Sequence, residues 1–392
     1  MNPSVLSEGF GMLRCLAQDF RSAGHEVTVL LDARISKLNP PIVADCTAPV
    51  LYAPEAKKFL ANASKINDAV YIIAPETGNT LQSLVSLVEK TGKLSLNCEA
   101  NAIQEVADKA VLYETLKNSG LFTPETMIFD MDIDFSEIKG EIKSKMEYPV
   151  VFKPLDGVSC GGSSIVQEDR QIKNAVARIR SVSSRKSFIV QEFVRGEPVS
   201  VSLLCAGAKA SAISLNKQNV KITQPEGVSC YEGGIVPFDH ALKHEVFRTA
   251  EEVALSFSGL GGYVGVDLVL ARDKPFVLDV NPRLTTSYVG LREVAGFNVA
   301  EAIVDARLKN KLPSKQETAG FVYFSKVRAA KPSIGAFQKA TQIDGVVSPP
   351  FPLDGNSEAI TLVTGQDGSP LDAQLRFEEA KKRLLNIIKR GK

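Results

Sequence analysis

The chain has 392 residues, enough for two or three domains that each bury a core of their own. Lysine and arginine total 46 against 45 aspartate and glutamate, a net charge of +1, which argues against a nucleic-acid or anionic-membrane footprint. No apolar run approaches the roughly 20 residues of a membrane-spanning helix, and Met1–Phe10 lacks the basic-then-apolar order of a secretory signal.

Mean hydropathy near zero is ordinary for a globular protein. The six cysteines at 15, 46, 98, 160, 205 and 230 are scattered without a C-x-x-C pair. Buried thiols in a reducing cytoplasm are therefore expected, rather than a disulfide frame or zinc site.

Leu6–Ala23 carries Phe10, Leu13, Leu16, Ala17 and Phe20 at helical spacing and stops at Gly24. Strands are predicted at Val27–Asp32, Ala69–Ala74 and Leu94–Leu96, with a helix over Leu81–Lys90. This alternation predicts a doubly wound α/β domain with a parallel sheet over residues 1–100. Such a domain ordinarily opens on a strand. Here the first element is a helix, so either the sheet is a strand short or the sequence begins after that strand.

Asn101 can cap a helix running to Ser119 that contains Lys109. Strands at Thr126–Asp130 and Pro149–Pro154 bracket a charged helix at Phe135–Lys145, and the second strand ends on Lys153. A lysine there is either a snorkelling surface residue or a cation aimed into a cleft. Next comes Asp156-Gly157-Val158-Ser159-Cys160-Gly161-Gly162-Ser163-Ser164. Such a loop can serve as a plain hairpin connection or turn backbone N–H groups toward a polyphosphate. No histidine lies near Cys160 in sequence, so a thiol nucleophile is not expected.

A strand at Ile165–Gln167, a helix at Arg170–Val182 and a strand at Ser187–Val194 follow, the last carrying Glu192 and Val194 and leading to Glu197. Strands at Val199–Cys205 and Ala208–Leu215 deliver the polar cluster Asn216-Lys217-Gln218, and Glu232-Gly233-Gly234 reads as a glycine-containing loop. His240 and His244 sit near the start of a helix at Leu242–Ser258; without a third ligand they read as surface residues.

The most informative stretch is Gly261–Arg283, two strands at Tyr263–Ala271 and Pro275–Asn281 around a turn at Arg272-Asp273-Lys274. With Asp273 at the tip, Ala271 faces Pro275, Val269 faces Val277 and Asp267 faces Asp279. Alternation puts Asp267, Asp279 and Asn281 on one face and Val266, Leu268, Leu278 and Val280 on the other. Two opposed carboxylates repel across roughly 5 Å. A hard divalent cation removes that repulsion, and two carboxylates plus an amide oxygen suit Mg²⁺; the alternative is a solvated acidic hairpin tip. Beyond this, FVYFSKVRA and ITLVTG read as strands and Leu371–Lys389 as a closing helix with a basic end.

In their order along the chain, Lys109, Lys153, the glycine loop, Glu192-x-Val194, Asp267, Asp279, Asn281 and Arg283 resemble the ATP-grasp superfamily. The likeness implies an α/β and α+β architecture: an ATP-grasp domain at 101–310 with a lid subdomain at about 125–195, a pre-ATP-grasp domain before it, and residues 311–392 packed on the core. It implies ATP held by Lys109, Lys153 and the loop residues Gly157, Gly161, Gly162 and Ser163. Glu192 and Val194 would meet adenine and Glu197 the ribose. Two Mg²⁺ ions, with Mn²⁺ as a substitute, would sit on Asp267, Asp279 and Asn281. Arg283, with Lys153, would steady the transferred phosphoryl group. Asp267 and Asp279 stand where many members carry glutamate, and the segment around Glu197 departs by about one residue.

Within the superfamily, Ser7–Leu13, Gly24–Asp32, Ala74-Pro75-Glu76 and Val322–Lys326 are similar to the ligases that join glutamate to tyramine in methanofuran biosynthesis. That likeness implies carboxylate activation to an acylphosphate and its capture by an amine. Small-molecule substrates, no nucleic acid, no membrane, a cytoplasmic location and a homodimer are the corresponding expectations. Lys217, Gln218, Glu232, Gly233 and Gly234 are the candidate substrate contacts. The alternatives are another carboxylate substrate, or nucleotide binding without turnover.

Overall fold

In a computed structural model that describes residues 2–36, 42–271, 273–314, 318–352 and 358–390, the first helix spans Pro3–Ser22, with Asn2 capping it through Ser4 N–H. Strands β1 (Thr28–Asp32) and β2 (Cys46–Val50) form one parallel pair. β3 (Ala69–Val70) and β4 (Leu94–Ser95) form another. Parallel pairing is as expected, but among the described residues no ladder joins the two pairs. β3 is also shorter than its apolar run suggests. Beyond it, the Asn97 side chain takes over the ladder's role by bonding both Ile72 N–H (2.7 Å) and Ile72 C=O (2.9 Å).

The helix expected over 101–119 is two helices, Ala100–Ala107 and Lys109–Asn118. They break at Asp108, whose carboxylate caps the second by accepting from Ala110 N–H at 3.0 Å. The break makes Lys109 the first residue of a helix.

β5 (Thr126–Asp130), β6 (Val150–Pro154), β7 (Ser164–Val166) and β8 (Ser187–Glu192) form an antiparallel sheet in the order β5-β8-β6-β7. Two helices, Phe135–Lys145 and Ile172–Arg180, cover it and bury Ile138, Ile142, Ala175 and Ile179 against Val150, Phe152 and Phe188. This small body has its own core.

The larger sheet contains β9 (Glu197–Ala206), β10 (Lys209–Lys221), β11 (Cys230–Val236), β12 (Gly262–Ala271), β13 (Lys274–Asn281), β14 (Phe321–Ala329) and β15 (Ala359–Asp367). Its order is β13-β12-β9-β10-β11-β14-β15. β14 and β15 thus extend the sheet that carries the acidic hairpin, and the helix Pro370–Arg390 packs on them through Phe377, Ala380 and Leu384. Val199, Val201, Leu203, Val266 and Leu268 bury one face of the sheet against helices that include Lys243–Leu255.

Two expectations are corrected here. Glu232-Gly233-Gly234 lies inside β11, not in a loop. A Cβ at Gly233, where φ is +139°, would stand 2.1 Å from Phe324 O, and one at Gly234 would stand 2.0 Å from Lys217 O. These glycines let neighbouring strands close up.

The hairpin register also differs. Ala271 pairs with Lys274, not Pro275, and Val269 pairs with Phe276, not Val277. A bulge between Asp267 and Leu268 then restores Asp267 opposite Asp279. The extra residue, Leu278, leaves the core face assigned to it and joins Phe276, Val269, Ala271 and Val194 in a separate apolar cluster. Of the expected turn, Asp273 adopts φ +59°, while Arg272 lies outside the described residues.

Candidate active site

The two acids come together as the spacing implies. Asp267 Oδ1 accepts from Gln218 Nε2 at 2.9 Å, and Oδ2 accepts from Asn281 Nδ2 at 3.0 Å. Lys109 Nζ donates to Asp279 Oδ2 at 2.5 Å, its side chain only 11% exposed. Burial, and then the facing Asp279, push the Asp267 carboxyl up to about 6. Lys153 donates to Gln191 Oε1 at 2.6 Å, and Gln191 Nε2 donates to Thr126 Oγ1 at 2.9 Å. Burial, and then the Lys109 charge, bring the Lys153 ammonium down to about 8. A pair of acids and a pair of lysines thus share one poorly hydrated space.

Arg283 continues from β13 beside this group. Its Nη2 reaches Asn281 Oδ1 at 3.4 Å, and its Nε lies 2.9 Å from Glu76 Oε1, both side chains largely buried. The donor set fits a hard cation: two carboxylates paired across the hairpin, and the Asn281 amide bonded to the first of them. Among the described residues no three His, Cys, Asp or Glu side chains converge as a metal cluster, His240 and His244 included. The candidate metal site is therefore two acids and Asn281.

The glycine loop is folded down toward this group. Ser159, Cys160 and Gly162 have φ of +49°, +63° and +77°. Gly161 N–H donates to Val158 O at 2.9 Å and Ser163 N–H to Cys160 O at 3.1 Å. A Cβ at Gly162 would lie 2.6 Å from Val182 Cγ2. Burial raises the Cys160 thiol to about 12, which disfavours the thiolate and agrees with its dismissal as a nucleophile. At the loop's root Asp156 is buried; Oδ1 accepts from Ser183 Oγ (2.7 Å) and Oδ2 from Gly78 N–H (3.0 Å). We expect the segment 157–164 to exchange amide hydrogens quickly in the free protein. It should gain at least tenfold protection with Mg²⁺ and a non-hydrolysable ATP analogue; equal exchange in both states would remove the lid role.

An ATP-grasp domain family matches residues 106–287, and a pre ATP-grasp 3 domain matches residues 25–103. Tyramine–L-glutamate ligase of Methanocaldococcus fervens is 32% identical over 254 residues, covering 65% of this chain and 71% of that one. The chain belongs to the ATP-grasp family. The corresponding ligase of Methanocaldococcus jannaschii is 29% identical over 60% of this chain, which spans 61% of that protein's length. D-alanine–D-alanine ligase of Clostridium botulinum is 28% identical over 45% of this chain and 59% of its own.

Solved structures share the fold, two of them as follows. One is an ATP-grasp superfamily protein from Archaeoglobus fulgidus, with TM-score 0.62, 23% identity and coverage of 93% and 94% of the two chains. The other is the biotin carboxylase domain of Hydrogenobacter thermophilus 2-oxoglutarate carboxylase, with TM-score 0.74, 13% identity and coverage of 97% and 92%. As a member of this family the chain is an ATP-dependent ligase. No helix among the described residues is long and apolar enough to cross a membrane.

The remaining ATP-grasp candidates divide. Val194 is buried beside Val269, Ala271, Phe276 and Leu278, an apolar patch on the same hairpin as the acids. Glu192 ends β8, its N–H on Glu125 O at 2.8 Å. Glu197 opens β9 opposite Leu270, and its carboxylate takes the Lys217 ammonium at 2.5 Å. These two charges neutralise each other, which leaves Lys217 engaged away from the acids. Gln218 instead serves Asp267, and Glu232 is tied to Arg328 Nη2 at 2.7 Å. Sequence reasoning missed Gln191 as the partner of Lys153. A lone glutamine in the apolar strand SFIVQEFV was the available signal.

Proposed function

We propose that this ligase joins glutamate, through its side-chain carboxylate, to the amine of tyramine, with ATP driving the reaction through an acylphosphate. One observation supports the chemistry above others: Asp267 and Asp279 face each other with Lys109 on the second acid. This arrangement provides charge neutralisation without an activated nucleophile, as phosphoryl transfer requires. Asp267, Asp279 and Asn281 would hold Mg²⁺, as two ions with Mn²⁺ as a substitute, and the metal would supply positive charge to the phosphates. Lys109 and Lys153 would bind phosphate oxygens, with the loop Gly157, Gly161, Gly162 and Ser163 over them. The patch around Val194, with Glu192 at its edge, would receive adenine, and Glu197 the ribose.

A substrate carboxylate oxygen attacks the γ-phosphorus, ADP leaves, and Arg283 neutralises the charge on the acylphosphate. The neutral amine nitrogen then attacks the acyl carbon, the bond from that carbon to the phosphate oxygen breaks, and the departing phosphate takes the surplus amine proton, giving an amide, ADP and hydrogen phosphate. The substrate pair rests on likeness to the Methanocaldococcus ligases.

ADP should be released only when ATP, Mg²⁺, glutamate and tyramine are all present, with γ-glutamyltyramine detected by mass spectrometry. Faster turnover with another acid or amine would replace the substrates and keep the ligase. Nucleotide binding without ADP release across a broad acid and amine panel would replace the ligase.

A further inference from the structure

Three segments outside the ATP site meet on one wall. Glu8 comes from the first helix, Glu76 from the turn after β3, and Lys326 from β14. Lys326 Nζ lies 2.6 Å from Glu8 Oε1, and the side chains are 1% and 8% exposed. Lys326 also donates to Tyr231 O at 2.5 Å. Glu8 Oε2 accepts from Thr286 Oγ1 at 2.6 Å, while Oε1 accepts from Ser4 Oγ at 3.2 Å and from Ser159 Oγ of the glycine loop at 3.4 Å. The Glu8 charge also acts on Arg283, which pairs with Glu76 at 2.9 Å. Glu76 Oε2 is buried with no hydrogen-bond partner among the described residues.

We propose that Glu8 and Lys326 recognise the head group of an α-amino-acid substrate, its ammonium on Glu8 and its carboxylate on Lys326. The side chain is thereby directed toward Arg283 and the paired acids. This rests on the ligase reading above and assigns its acid-binding half. A buried ion pair is poor value as a stabilising device, because apolar residues of similar volume serve as well or better. Its cost is offset if a zwitterion separates the pair, converting one internal ion pair into two with the ligand. Each partner keeps an anchor when that happens: Glu8 retains Thr286 and Lys326 retains the Tyr231 carbonyl. The Ser159 contact ties the pair to the glycine loop, whose Cys160 lies within electrostatic range of Lys153, Asp267 and Lys326.

The test compares glutamate with glutarate, which lacks the α-ammonium, and with 4-aminobutanoate, which lacks the α-carboxylate. The readout is kcat/KM for ADP release with tyramine. Wild-type protein should prefer glutamate to either by roughly a hundredfold or more, because an analogue leaves a buried charge unpaired. Glu8→Gln should shrink the glutamate-to-glutarate ratio at least tenfold. Lys326→Met should do the same for glutamate against 4-aminobutanoate, with ATP-analogue affinity retained in both. The double variant carries no unpaired charge and guards against misfolding of either single one. Equal losses for all three acids would overturn the proposal and leave the pair a structural strut. If none of the three acids supports ADP release, the glutamate–tyramine reading fails instead, and equilibrium dialysis with labelled glutamate decides the head-group site. Saturable binding lost in both variants supports it; no binding to wild type overturns it.

Discussion

Asp279→Asn is expected to lower kcat about a thousandfold or more while leaving the folded structure in place. Asp279 lies opposite Asp267 across the hairpin and holds Lys109 at 2.5 Å. On the proposed reading, one substitution therefore removes an oxygen that would bind metal and the partner of a lysine that would bind phosphate. Loss of metal-borne charge stabilisation is worth several kcal/mol of barrier, and about 4 kcal/mol is a thousandfold. Asparagine keeps the shape, and Asp279 is partly exposed, so the circular dichroism spectrum and melting profile should remain close to wild type. Near-normal turnover at ordinary Mg²⁺ would show that the acidic hairpin does not carry the chemistry.

The hairpin also shows what the chain states openly and what it withholds. Strand alternation and a short turn were enough to place Asp267 opposite Asp279, because apolar residues flank both acids and only one face can be buried. The bulge was not legible. The turn and the bulge each shift the register by one residue and cancel at the acids, so the expected pairing emerges through a different path. Leu278 records the difference, moving to the face that carries Val194. Glu232-Gly233-Gly234 misled for a related reason. Paired glycines ordinarily signal a loop, but here strand crowding against Phe324 and Lys217 requires them.

Contacts between distant segments were the least accessible. Ser7-Glu8 and Val322–Lys326 could be singled out as segments, yet nothing in either says that Lys326 lies on Glu8. That pairing depends on β14 extending the central sheet until it reaches the first helix. Arg283 and Glu76 meet in the same way. Local pattern gives the strands; the sheet order that joins them is a property of the whole fold.

Asp267→Asn should abolish turnover and yet stabilise the protein at alkaline pH. The wild-type carboxyl is held at about 6 in the folded state by burial and then by Asp279, against an ordinary value of 3.8. Folding thus favours the protonated form. Below about pH 4 the group is protonated in both states and costs nothing. As pH rises through 6 the folded state must ionise it in place, and the full cost is present above that. A shift of this size is worth up to about 3 kcal/mol, less what is lost when the new amide faces the Gln218 or Asn281 donor. Urea unfolding at pH 8 should therefore show the variant more stable than wild type, with the advantage gone at pH 4. A constant difference across that range would mean that Asp267 is not strained. Mg²⁺ gives an independent check, since it should stabilise wild type by mass action and leave the variant unmoved. The same titration should limit activity from the acid side, while Lys153, at about 8, should limit it from the alkaline side. Association of Mg²⁺-nucleotide with the free enzyme should accordingly be tightest between about pH 6 and 8. Lys153→Arg should extend the alkaline limb, because a guanidinium stays charged where the buried ammonium does not.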